Sequence, residues 1–239
     1  MKKRINGVLI SLLLLIAAFG FSIYPQQETV QEKPEAIEKV NIEELSTYVN
    51  EIDDYRESFN NNDIVARLVI EDIGIDSMIT KTTNNSYYLT HNLAGEDDVL
   101  GNPFVDFRNE LPLGEERQIN IYSHNSDYAS YQEELPFYKL EKYLDTETFN
   151  NAKDIYLYTD EEALKYQVYA VKIITTSNEH TRLDSKNAET WEKHLNYLVE
   201  DTSQCRGKCK LKDTDQLLIL QTCNFQPRGS YILVIMKKV

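Results

Sequence analysis

Leu217-Leu218-Ile219-Leu220-Gln221-Thr222-Cys223-Asn224-Phe225-Gln226-Pro227-Arg228 is an apolar run that carries a cysteine near its end and then turns. A second apolar run, residues 231–236, follows directly. Two such runs bounded by Gln-Pro-Arg-Gly read as buried strands joined by a hairpin. In that reading Cys223 stands at a strand terminus and Arg228 lies across the turn. A thiol held by a rigid strand can act as a nucleophile, and an arginine nearby can bind developing negative charge.

Thiol chemistry also needs a base, because the thiolate is the reactive form. His124, in Ile119-Asn120-Ile121-Tyr122-Ser123-His124-Asn125, sits where another strand-like run breaks into polar loop. It lies 99 residues before Cys223, so only the fold can join the two. Papain-like proteases have the opposite order, cysteine first. His180 is a weaker candidate, and His194 shares the apolar face of a helix, where a structural role is expected. His91 and Asn92 lie in a loop able to line a cleft. Taken singly, each feature has a plain alternative: a buried small cysteine, a satisfied loop histidine, a turn arginine in a surface ion pair.

The surrounding pattern is mostly β with helical additions. Strand-like runs cover residues 64–70, 77–82, 103–106, 118–123, 155–159, 163–176, 216–222 and 231–237. Short strands without βαβ alternation predict a mostly antiparallel barrel or sandwich. The 16 tyrosines and only 8 glycines agree with strands. A helix is expected from Asn41, a capping residue with Glu44 three places on, and its apolar face carries Ile42, Leu45, Val49, Ile52 and Phe59. Two helical inserts are expected, over residues 138–144 and 187–200. The second aligns Trp191, His194, Leu195 and Leu198 on one face.

The net charge is −14, and Lys2, Lys3 and Arg4 are positive, so the rest of the chain is more acidic still. An acidic body without a basic stripe repels phosphate backbones and argues against nucleic-acid binding. Residues 5–24 carry no charge and follow Lys-Lys-Arg, which predicts a single-pass signal-anchor with a cytoplasmic tail (1–4) and an extracellular body. A cleaved signal peptide is the competing reading. Residues 25–40 read as a polar tether, with one domain over 41–239. Cys205 and Cys209 either bridge or remain free thiols, and nothing beside them suits zinc.

The motifs together resemble those of sortases, the cysteine transpeptidases of Gram-positive cell surfaces. The family's Thr-Leu-x-Thr-Cys is matched by residues 219–223, with Ile219 replacing the first threonine. Its histidine motif is matched by Tyr122-Ser123-His124-Asn125, with Ser123 where glycine is usual. Its arginine is matched by Arg228, across a hairpin shorter than usual. Phe104-Val105-Asp106-Phe107-Arg108-Asn109, Leu140-Glu141-Lys142-Tyr143-Leu144, the N-terminal helix and the helix-bearing insert are similar to class B. The resemblance implies a closed barrel of about eight strands, with Cys223 as nucleophile, His124 as acid/base and Arg228 as oxyanion and substrate stabiliser. Ser123, Gln221, Thr222, Asn224, His91 and Asn92 are expected to contact substrate. No metal or cofactor is expected. The implied partners are secreted proteins with a C-terminal sorting motif and an amine acceptor, from a lipid-linked peptidoglycan precursor or a pilin. A cysteine protease and a non-catalytic surface-binding domain are the rival readings.

Overall fold

Two apolar strands, Ile64–Ile70 (β1) and Ile75–Thr80 (β2), form the first hairpin. Gly74 closes its turn at φ +70°, a backbone angle that favours glycine. The computed structural model describes residues 42–175 and 188–239. The remaining strands are Phe104–Val105 (β3), Gln118–Tyr122 (β4), Ile155–Tyr158 (β5), Ala163–Ile174 (β6), Gln204–Cys205 (β7), Leu217–Phe225 (β8) and Arg228–Lys238 (β9). They join in the order β5-β1-β2-β3-β4-β8-β9-β6, and β6 pairs back with β5, closing an eight-stranded barrel. β7 adds a short ninth strand beside β6. Most pairs are antiparallel, as the strand pattern predicts, but β2–β3 and β4–β8 are parallel.

The helices are Ile42–Phe59 (α1), Ala129–Gln132 (α2), Thr146–Asn150 (α3) and Ala188–Val199 (α4). The segment expected to be helical near 138–144 is a 3-10 segment, Pro136–Leu144, entered at Pro136. Its Phe137, Leu140 and Tyr143 join Leu68, Ile79, Ile121, Leu218, Leu220 and Val234 in the barrel core. A second core lies between the barrel wall and α4, joining Trp191, Leu195 and Leu198 to Leu217, Ile219, Leu233 and Ile235. The predicted face of α4, with His194, is buried throughout. These two cores explain why β8 reads as an unbroken apolar run. Leu218 and Leu220 point into the barrel, while Leu217 and Ile219 point out under α4. Burying each such side chain stabilises the fold by roughly 2 kcal/mol.

Three expectations change. Cys223 does not end its strand, because β8 continues to Phe225 and Cys223 pairs with Tyr231 on β9. Arg228 is the first residue of β9, since only Gln226 and Pro227 separate the two strands. The single-pass membrane location with an extracellular body is also corrected. Among the described residues no helix is long and apolar enough to cross a membrane, and α1, the longest, carries seven charged residues. The basic tail, the apolar stretch 5–24, the tether 25–40, the cap at Asn41 and His180 lie outside the described residues.

Candidate active site

The parallel pairing of β4 with β8 brings the histidine and the cysteine together. Its register runs from Gln118↔Leu217 to Tyr122↔Gln221. Continued two residues past the end of β4, the same offset sets His124 opposite Cys223. Three hydrogen bonds carry the alignment into the loop. Ser123 N donates to Gln221 O at 3.3 Å, Thr222 Oγ1 to Ser123 O at 2.8 Å, and Asn125 Nδ2 to Cys223 O at 3.0 Å. The Thr222–Ser123 contact keeps the same 99-residue separation as His124 and Cys223.

Alternation along each strand decides which face they occupy. Ile119 and Ile121 of β4, like Leu218 and Leu220 of β8, face the barrel core. Tyr122, His124, Gln221 and Cys223 therefore face outward, beyond the part of the wall that α4 covers. There they line a cavity of about 360 Å³ together with Asn85, Leu89, Phe104 and Tyr231. Cys223 is half-buried and is the free cysteine. Burial pushes its thiol above the ordinary value, because an apolar wall disfavours the thiolate. His124 Nε2 lies 2.8 Å from the carbonyl oxygen of Leu89. A carbonyl can only accept, so Nε2 carries a proton and Nδ1 is left to exchange one.

A polar cluster around Asp106 holds two of the lining residues, Asn85 and Tyr122. Asp106 has no exposed surface. It accepts from Tyr122 OH at 2.7 Å, Asn85 Nδ2 at 3.1 Å and two guanidinium nitrogens of Arg108 at 2.8 and 2.6 Å. Burial alone would raise its carboxyl, but the bonds from Arg108 and Tyr122 outweigh burial and hold it below the ordinary value. The Tyr122 hydroxyl is pushed up, first by burial and second by the negative charge of Asp106.

The other expected contact residues divide. Ser123, Gln221 and Thr222 line the cavity, although the Thr222 hydroxyl is spent on Ser123 O. Asn224 is buried in the β8–β9 turn, where its amide donates to Gln226 O and Ser230 Oγ. His91 stacks on Tyr87 at 4.0 Å between centroids and bonds Tyr87 O. The Asn92 side chain accepts from Ala94 N and Glu96 N, closing its own loop. Neither lines the cavity. Nor does Arg228, whose Nη2 donates to Asp127 Oδ2 at 2.8 Å. Asn85, Leu89, Phe104, Tyr122 and Tyr231 were not expected there. Strand alternation is the signal for two of them, Tyr122 two residues before His124 on β4 and Tyr231 opposite Cys223 on β9.

Cys205 and Cys209 are joined by a disulfide. Among the described residues no cluster of histidine, cysteine and carboxylate groups could hold a metal ion.

Residues 68–238 match the family model described as a sortase domain. The chain is 30% identical to sortase B of Listeria monocytogenes over 166 residues, covering 69% of this chain and 64% of that protein. It therefore spans just under two thirds of that relative's length. It is 24% identical to sortase B of Staphylococcus aureus over 230 residues, covering 93% of this chain and 91% of that one. A mutant form of Clostridium perfringens sortase B has a similar fold, with a TM-score of 0.71 at 22% identity, over 82% of this chain and 90% of that one.

Proposed function

Because the chain belongs to the sortase family of cysteine transpeptidases, and to its class B, we propose that it cuts proteins at a C-terminal sorting motif and joins them to an amine of a cell-wall precursor. The observation that carries this reading is the shared cavity of Cys223 and His124, set by the register of β4 and β8.

In the proposed reaction the Cys223 thiol passes its proton to His124 Nδ1, and the sulfur attacks the scissile carbonyl carbon. Arg228 leaves Asp127 and donates to the oxyanion, a charge-assisted bond that strengthens as negative charge develops. The carbon–nitrogen bond breaks, His124 returns its proton to the departing amine, and a thioester to Cys223 remains. The acceptor amine then attacks the thioester carbonyl and gives a proton to His124. The thiolate departs and takes that proton back, which restores the starting state. Leu89 O keeps Nε2–H fixed throughout, so only Nδ1 exchanges protons.

The test mixes the protein with a sorting-motif peptide, with and without an added primary amine, and follows products by mass spectrometry. The expected results are a thioester on Cys223 and an amine-joined product. A Cys223→Ala protein that still joins peptide to amine would overturn the reading. Hydrolysis alone, unchanged by amine, would assign the chain to the proteases instead.

A further inference from the structure

Asn125 stands between the histidine and the cysteine in a way the reaction above does not use. The residue is 7% exposed, and both amide hydrogens and the amide oxygen are hydrogen-bonded within the protein. One Nδ2 hydrogen goes to the backbone carbonyl of Cys223 at 3.0 Å. The other goes to Glu141 Oε1 at 2.7 Å. Oδ1 accepts from Ser126 N at 2.7 Å. Only a primary amide offers two donors in one plane and an acceptor on the same carbon.

Both ends of this bridge are rigid. Glu141 lies on the 3-10 segment Pro136–Leu144, whose Leu140 and Tyr143 on either side are wholly buried in the barrel core. Cys223 is laddered into β8–β9. His124 sits between two residues that are each tied to β8, Ser123 through Gln221 O and Thr222, and Asn125 through Cys223 O. Without the second tie, the loop after His124 is held to the nucleophile strand on one side only.

We propose that Asn125, oriented by Glu141, is a positioning residue that fixes His124 against Cys223. This rests on the thiol–imidazole reading of the site. A bridge of this kind acts on geometry, and displacing a reacting group by about 1 Å can lower a rate about 100-fold. Asn125→Ala breaks both donations and leaves Glu141 facing a cavity without a donor. Glu141→Gln keeps an acceptor oxygen for Asn125, whereas Glu141→Leu removes it.

The experiment reads the alkylation of Cys223, which is a free thiol while Cys205 and Cys209 are joined in a disulfide, together with kcat and KM for transpeptidation. His124→Ala is compared in the parent and Asn125→Ala backgrounds across a range of pH. Asn125→Ala is expected to lower kcat by about 100-fold with little change in KM. In that background His124→Ala should cost far less than in the parent, and the histidine-dependent limb of the pH profile should vanish. Glu141→Leu should behave like Asn125→Ala, and Glu141→Gln should recover the histidine dependence. An equal cost of His124→Ala in both backgrounds overturns the proposal. If Asn125→Ala does not fold, the same comparison with Glu141→Leu against Glu141→Gln decides, and equal histidine dependence in those two overturns it. Failure of the reaction reading itself is distinct, since there Cys223→Ala would retain joining activity.

Discussion

The guanidinium of Arg228 donates to the carboxylate of Asp127 at 2.8 Å, while 83% of the arginine side chain is exposed to solvent. Asp127 lies three residues after His124, so the arginine is held by the histidine loop and not by the thiol. An exposed ion pair is worth about 0–1 kcal/mol, so the contact is a weak latch. Releasing it costs little compared with what an oxyanion donor supplies.

Arg228→Ala is expected to lower kcat about 100- to 1,000-fold, the usual cost of removing an oxyanion donor. Asp127→Asn should act in the opposite direction, raising kcat by no more than about fivefold, as befits a pair worth up to about 1 kcal/mol. Steady-state kinetics at low and high salt check both. A large loss in Asp127→Asn would mean that the pair serves the reaction as it stands.

Burial raises the Cys223 thiol, so the folded protein holds this proton more tightly than the unfolded chain. The associated stability is present below the unfolded value and lost as pH rises through the folded one. Alkylation of the folded protein near neutral pH should therefore be slower than in urea and should climb through alkaline pH. Rates measured with iodoacetamide across that range test this. Faster labelling of the folded form near neutral pH would contradict it.

Asp106 is shifted the other way. Its contribution to stability is present above the unfolded carboxyl value and lost as pH falls through the lower, folded value. Asp106→Asn should destabilise the protein by about 2–3 kcal/mol near neutral pH, the scale of hydrogen bonds to a charged group. The gap between parent and variant should close in acid. Urea unfolding at the two pH values measures the difference directly.

The Cys205–Cys209 bridge closes a loop with a sequence separation of 4. Loop-closure entropy for so short a ring gives about 2 kcal/mol, or a melting temperature lower by about 4–8 °C in Cys205→Ser/Cys209→Ser. Neither residue lines the cavity. Labelling of Cys223 should keep its pH dependence in the double variant, and calorimetry with parallel labelling tests both halves.

Much of this molecule is readable locally. Residues 217–225 announce a strand because leucine and isoleucine occupy both of its faces, one for the barrel and one for α4. The face of α4 is legible from Trp191, His194, Leu195 and Leu198 at helical spacing. The length of the hairpin at Cys223 was harder to read. Asn224 looks like loop chemistry, yet its amide is used to close a turn of only Gln226 and Pro227.

While β7, α2 and α3 had no legible signal, local patterning in the sequence carried eight of the nine described strands, α1 and α4, the likeness to a family of thiol enzymes, and the pair Cys223 and His124. The tertiary structure alone decided their face, their neighbours and the partner of Arg228. The reason is physical. Side-chain periodicity and turn residues act over a few positions, so they are written in the local sequence. The parallel register of β4 with β8 is not, because it joins segments 99 residues apart and is selected only when the barrel closes and both cores are filled. Asn125 shows the same division: a plain loop asparagine in the sequence, it becomes a bridge between Cys223 and Glu141 only once that register is set.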